Sequence, residues 1–131
     1  GSRLLRLMCI SVCNTVTLDS TDLKYNRLYD IQFHRNWLNY EELRLVFDQM
    51  REAIKMIGEG LEEIPVYSYI NYKFKGIIIG RIKVSRKFIE ISTYSVDENA
   101  QNLLLRVKSS RDDYSEVIKN MEKYYLFCVN G

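Results

Sequence analysis

Six cations, Lys73, Lys75, Arg81, Lys83, Arg86 and Lys87, fall within fifteen positions, with no acidic residue among them. Tyr67, Tyr69, Tyr72 and Phe74 lead into this run and interleave with its start. Lysine and arginine neutralise phosphates, and aromatic rings offer faces on which bases stack. Basic charge beside tyrosine on a sheet is therefore a nucleic-acid signature, and the expected contacts are Tyr67, Tyr69, Lys73, Lys75, Arg81, Lys83, Arg86 and Lys87. The competing reading is a solvated sheet face, since lysines at turns and edges also keep strands from aggregating.

Other chemistry has little to stand on. Hydrolysis or group transfer needs a nucleophile and base in reach, paired carboxylates, or a metal. His34 is the single histidine, and its place in Gln32-Phe33-His34-Arg35 suggests an exposed or capping residue. No phosphate loop, G-x-G-x-x-G or G-x-S-x-G occurs, so Gly76 and Gly80 read as turn and strand relief. Asp22-Leu23-Lys24 has only Asp19 upstream, in a turn, and the strands contribute just Glu90, so a metal-dependent nuclease lacks its carboxylates. Glu59, Glu62 and Glu63 read as a solvated link. Cys9, Cys13 and Cys128 form neither an even disulfide set nor a four-ligand metal site. The expectation is a chain without catalytic residues, metal or cofactor.

The elements that must position the basic run follow from periodicity. Asn39 is the expected N-cap of a helix whose stripe is Tyr40, Leu43, Val46, Phe47, Met50, Ile54 and Ile57, with Trp37 stapling its start and Gly58 stopping it. Pro65 then leads into a meander: a strand from Val66 to Phe74, a turn at Lys75-Gly76, a strand from Ile77 to Val84 and another from Phe88 to Tyr94. Ser68, Ile70, Tyr72 and Phe74 share one face, with Tyr67, Tyr69, Asn71 and Lys73 on the other. Ile78, Ile82 and Val84 oppose Arg81 and Lys83. Leu103 to Val107 is a further strand. Ser110 and Asp113 have capping-box spacing before a helix burying Tyr114, Val117, Ile118, Met121 and Tyr125.

The predicted fold is α+β in a single domain: an antiparallel sheet of about four or five strands, with one amphipathic helix before it and one after, both packed on its apolar face. Residues 1–36 read as an N-terminal extension with a strand at Thr15-Val16-Thr17-Leu18 and an irregular approach from Leu23 to Phe33. The domain proper spans 37–131. Gly1-Ser2 reads as a tag remnant. The length of 131 residues suits one core, and the net charge of +2 is too small to imply nucleic acid without local clustering. No window holds the roughly 18 consecutive apolar residues of a membrane span. Arg3 to Val12 lacks a convincing cleavage motif, so the expected compartment is the cytoplasm.

The blocks IPVYSYINYKFKGIIIGRIKVSRKFIEIS and LLLRVKSSRDDYSEVIKNMEKYY resemble an uncharacterised α/β domain family of unknown function. The likeness runs from about Trp37 to Phe127 and rests on Tyr69, Ile70, Tyr72, Lys73, Asp113 and Tyr124. The family is often labelled a predicted transport protein and also occurs C-terminal to restriction-type nuclease domains. After Tyr94 the chain departs from the family's pattern, lacking its glycine- and tryptophan-containing piece. The resemblance implies an accessory domain in a defence or DNA-processing protein, with DNA or RNA as partner. Two other readings stay open. Ten tyrosines suit a protein–protein contact, with another protein or a second copy of the chain. Aromatic walls between Trp37, the central sheet and the final helix suit a small-ligand or nucleotide pocket.

Overall fold

The structure, a computed structural model, describes residues 29–96 and 102–131. The strand expected at Thr15–Leu18, Cys9 and Cys13, and the approach before Tyr29 lie outside these residues. Ile31–Gly131 forms one compact unit. Its elements are α1 (Ile31–Trp37), α2 (Glu41–Lys55), β1 (Leu61–Pro65), β2 (Ile70–Phe74), β3 (Ile77–Val84), β4 (Ile89–Tyr94), β5 (Asn102–Val107) and α3 (Ser115–Asn130). The strands form one sheet in chain order, and every neighbouring pair is antiparallel. The fold is the expected α+β domain.

One face of the sheet and the helical stripes make the core. Ile70, Tyr72, Ile82, Ile89, Ile91 and Val107 meet Leu43, Phe47, Met50 and Ile54 of α2 and Met121 of α3 within one buried cluster. These are the period-2 and period-3.6 positions of the sequence, which is why the helices settle on that face. Gly80 lets α3 approach: a Cβ there would lie 2.4 Å from the Met121 methyl. Lys75 and Gly76 both have positive φ, 50° and 82°, so a two-residue hairpin of the primed kind joins β2 to β3.

Several local expectations are corrected. Val66 to Phe74 is not one strand. β1 precedes it, and Val66 N–H donates to Tyr69 O at 2.8 Å, closing a tight turn into β2. The presumed acidic link therefore contains an edge strand, and Glu62 and Glu63 face opposite sides of it. Ile78 is not on the apolar face. Tyr72 pairs with Gly80 but Lys73 with Ile78, so Ile79 is the extra residue of a β-bulge that turns Ile78 outward and buries itself. Thr93 Oγ1 donates to Ile79 O at 2.8 Å, fastening the bulge.

The segment from Ile31 is helical rather than irregular. His34 is buried, not exposed, and its Nε2–H donates to Val66 O at 2.7 Å. A carbonyl can only accept, so that nitrogen carries a proton. Tyr40, not Asn39, stands at the N-cap of α2, without a side-chain cap bond, and its ring is half exposed. Asn39 N–H instead donates to Arg86 O at 2.9 Å. Gly58 has no left-handed φ. It makes room for the Tyr125 ring, whose hydroxyl donates to Glu59 O at 2.7 Å. Ser110 caps nothing in α3. Asp113 Oδ1 accepts from Ser115 N–H at 2.9 Å, and Ser110 bonds Glu42 of α2.

Glu63 is where sheet and helix are joined by charge. Arg51 of α2 grips both its oxygens, at 2.8 and 2.9 Å, and Tyr72 Oη–H donates to Oε2 at 2.6 Å. Burial raises the Glu63 carboxyl, yet these hydrogen bonds outweigh it and hold the group below its ordinary range. Burial and the bond to Glu63 push the Tyr72 phenol far upward. The Arg51–Glu63 pair is fixed in its ionised form, as a strut rather than an exchange site.

Candidate nucleic-acid interface

Among the described residues no element covers the second face of the sheet. Antiparallel register lays its side chains out in rows. Ile64, Asn71, Arg81, Ser92 and Leu104 form the central one, flanked by Lys83–Glu90–Arg106 on one side and Glu62–Lys73–Ile78 on the other. Period-2 alternation puts them there: the residues between them in each strand are the core.

The predicted contact residues divide by position. Lys73, Arg81 and Lys83 lie on this open face. Arg86 and Lys87 lie in the β3–β4 turn, at the same end of the sheet as Tyr67 and Tyr69 in the β1–β2 turn. Lys75 sits at the β2–β3 hairpin, the other end of an eight-residue strand spanning about 25 Å. Six residues thus gather toward one end, while Lys73, paired with Ile78 next to the hairpin, and Lys75 lie toward the other.

At that end cations are layered on rings. The Arg81 guanidinium sits 4.8 Å and Lys83 Nζ 5.8 Å from the Tyr69 centroid. Arg81 Nε–H also donates to Asn71 Oδ1 at 3.0 Å. Arg86 lies 4.5 Å over Trp37, which stacks on Phe33, and Tyr67 stands 6.4 Å from Phe33. Trp37 is therefore the platform of Arg86 rather than a helix staple. Such contacts fix guanidinium groups while leaving N–H donors directed outward. Tyr69, the residue expected to stack on a base, lies against two cations.

Two hollows adjoin this end. One, of about 180 Å³, is lined by Phe33, His34, Trp37, Tyr67, Lys83 and Val84. It is walled by α1 and the sheet end, not by the final helix. The other, of about 170 Å³, lies on the open face beside Tyr69, Arg81, Lys83, Glu90, Ser92 and Asn102.

Sequence reasoning missed Arg106, Glu90 and Glu62 as members of this surface. Arg106 stacks 4.7 Å over Phe88 and donates from Nε to Glu90 Oε2 at 2.7 Å. The basic run is free of acids only along the chain. Across the sheet, register sets Glu90 opposite Lys83 and Glu62 opposite Lys73. Alternation within IEISTY and NLLLRV was the available signal, but the pairing was needed to use it.

Among the described residues no cluster of His, Cys, Asp and Glu is arranged to hold a metal ion, and no helix is long and apolar enough to cross a membrane. No family model, curated protein or solved structure matches the chain.

Proposed function

We propose that this chain is a non-catalytic binding module that contacts nucleic acid through its open sheet face, as an accessory domain of a defence or DNA-processing protein. The observation that carries the reading is the layering of Arg81 and Lys83 on Tyr69, beside Arg86 on Trp37. Cations ordered on rings before a ligand arrives lose little freedom on meeting phosphate. The hollow beside them and the sheet face that the described residues leave open favour a single strand, whose bases can turn toward the protein. The cytoplasm is the compartment that goes with this reading.

Fluorescence anisotropy with labelled single- and double-stranded DNA and RNA, at low and moderate salt, tests it. Binding that weakens steeply with salt and is lost in Lys73→Glu/Lys83→Glu is the expected result. No binding even at low salt refutes it. A second reading, pairing with another copy of the chain, is favoured by the exposed Leu126, Phe127 and Val129 near the end of α3. Sedimentation showing a salt-insensitive dimer that Phe127→Glu dissolves would support that reading instead.

A further inference from the structure

Three aromatic rings meet at the end of the sheet without filling the space between them. Phe33 and Trp37 stand four residues apart on α1, so their side chains share one face of that helix. Tyr67 comes from the β1–β2 turn. With Val84 they wall the hollow of about 180 Å³. That volume is below the roughly 300–1,000 Å³ of a pocket for a drug-sized ligand, and it suits one planar ring. Trp37 and Tyr67 are 44% and 64% exposed, which leaves large ring surface in water that a guest would favourably cover.

The walls are braced against each other. Buried His34 donates from Nε2 to Val66 O at 2.7 Å, which ties α1 to the residue next to Tyr67. Val66 N–H donates to Tyr69 O at 2.8 Å and closes the turn on its other side. A hollow held in this way needs little ordering of its own residues when a ring enters.

Charge decides which ring. An aromatic enclosure also suits a quaternary ammonium. Here Lys83 lines the hollow and Arg86 lies 4.5 Å over Trp37, while no described carboxylate lines it. A cationic guest would be repelled by both side chains. A nucleobase with its phosphate meets aromatic faces and positive charge together. Lys83 also lines the hollow on the open face, so a strand lying on the sheet reaches both hollows past one residue.

We infer that the hollow between α1 and the β1–β2 turn is a base-stacking subsite. It takes one unstacked base of a single strand beside Tyr67 and Trp37, with the neighbouring phosphate at Lys83 and Arg86. The subsite presupposes the nucleic-acid function proposed above and adds where a base leaves the strand. Stacking needs only a π-face, so any base is accepted.

Trp37 is the single tryptophan of the chain, so its fluorescence reports on this hollow alone. The full chain is titrated with oligo(dT), with an abasic strand of equal length and charge, and with thymidine monophosphate. Anisotropy of the labelled strands records binding itself. Oligo(dT) is expected to quench Trp37 in step with binding. The abasic strand binds more weakly and leaves Trp37 bright, and the mononucleotide acts only at far higher concentration. Tyr67→Ala weakens oligo(dT) binding on the order of tenfold without changing its salt slope, and Tyr67→Phe restores it. A thermal melt confirms that both variants are folded. Strand binding that leaves Trp37 unquenched, quenching by the abasic strand, or affinity that survives Tyr67→Ala overturns the subsite and leaves nucleic-acid binding intact. Quenching by the mononucleotide at the strand's own concentration overturns the strand as occupant and assigns the hollow to a free nucleotide. Binding to neither strand overturns both the subsite and the nucleic-acid function.

Discussion

Replacing Glu63 with glutamine isolates the charge that joins α2 to the sheet. The wild-type carboxylate accepts two bonds from Arg51 and one from Tyr72, and the Glu63 and Arg51 side chains are only 15% and 19% exposed. Both exposures are below a third, so solvent screens the pair weakly. Breaking a buried pair on one side costs about 3–5 kcal/mol. The glutamine oxygen keeps part of the bonding, which places Glu63→Gln near the lower end, at about 3 kcal/mol. Tyr72→Phe removes one hydrogen bond to a charged acceptor and leaves both Arg51 contacts, for about 1.5–2 kcal/mol. Against a total of about 5–15 kcal/mol for a domain, either loss shifts the urea midpoint measurably. The pH dependence has a fixed sign. The folded Glu63 carboxyl lies below its unfolded value of 4.5, so its contribution is whole above that value and is lost as pH falls through the folded value. The gap between wild type and Glu63→Gln should therefore narrow in urea melts run progressively below that pH. Equal midpoints near neutrality, or a gap that stays constant on acidification, would refute the strut.

Other expected outcomes follow from single contacts. Lys83→Gln should lower the salt slope of single-strand binding by about 0.7, the share of one phosphate contact. Lys75→Gln, at the far hairpin, should leave that slope unchanged, and anisotropy across a salt series separates the two. Gly58→Ala sets a Cβ 2.3 Å from the Tyr125 ring and should cost about 1–3 kcal/mol by overpacking, read as a lower melting temperature. Thr93→Val removes the bond to Ile79 O and should cost about 1 kcal/mol in a denaturant melt.

The elements with strong periods were legible. The stripe from Leu43 to Ile54 and the alternation through β2 to β5 predict a meander under two helices, because burial alone sets those periods. The β1 strand was hidden because Leu61-Glu62-Glu63-Ile64 looks solvated until Arg51 arrives to neutralise Glu63. The outward turn of Ile78 is not visible in the sequence, because a bulge leaves no mark in a run of three isoleucines. His34 looks exposed in the sequence because nothing local shows that Val66 O waits for its proton. The candidate surface was half legible: Lys73, Arg81 and Lys83 share a strand face by parity. The opposing Glu62, Glu90 and Arg106 come from strands whose register the chain does not announce.

Sheet order that repeats chain order also bears on how the domain is assembled. Each hairpin closes a short loop, which costs little chain entropy, so strand pairing can proceed locally and early. The distant closures are those of the helices, Ser110 to Glu42 across 68 positions and Tyr125 to Glu59 across 66. Trimming a β3 contact with Ile82→Val should slow refolding. Tyr125→Phe should leave that rate nearly untouched and speed unfolding instead. The C-terminal helix would then act as the latch that closes last and opens first, setting how long the folded domain survives rather than how quickly it forms.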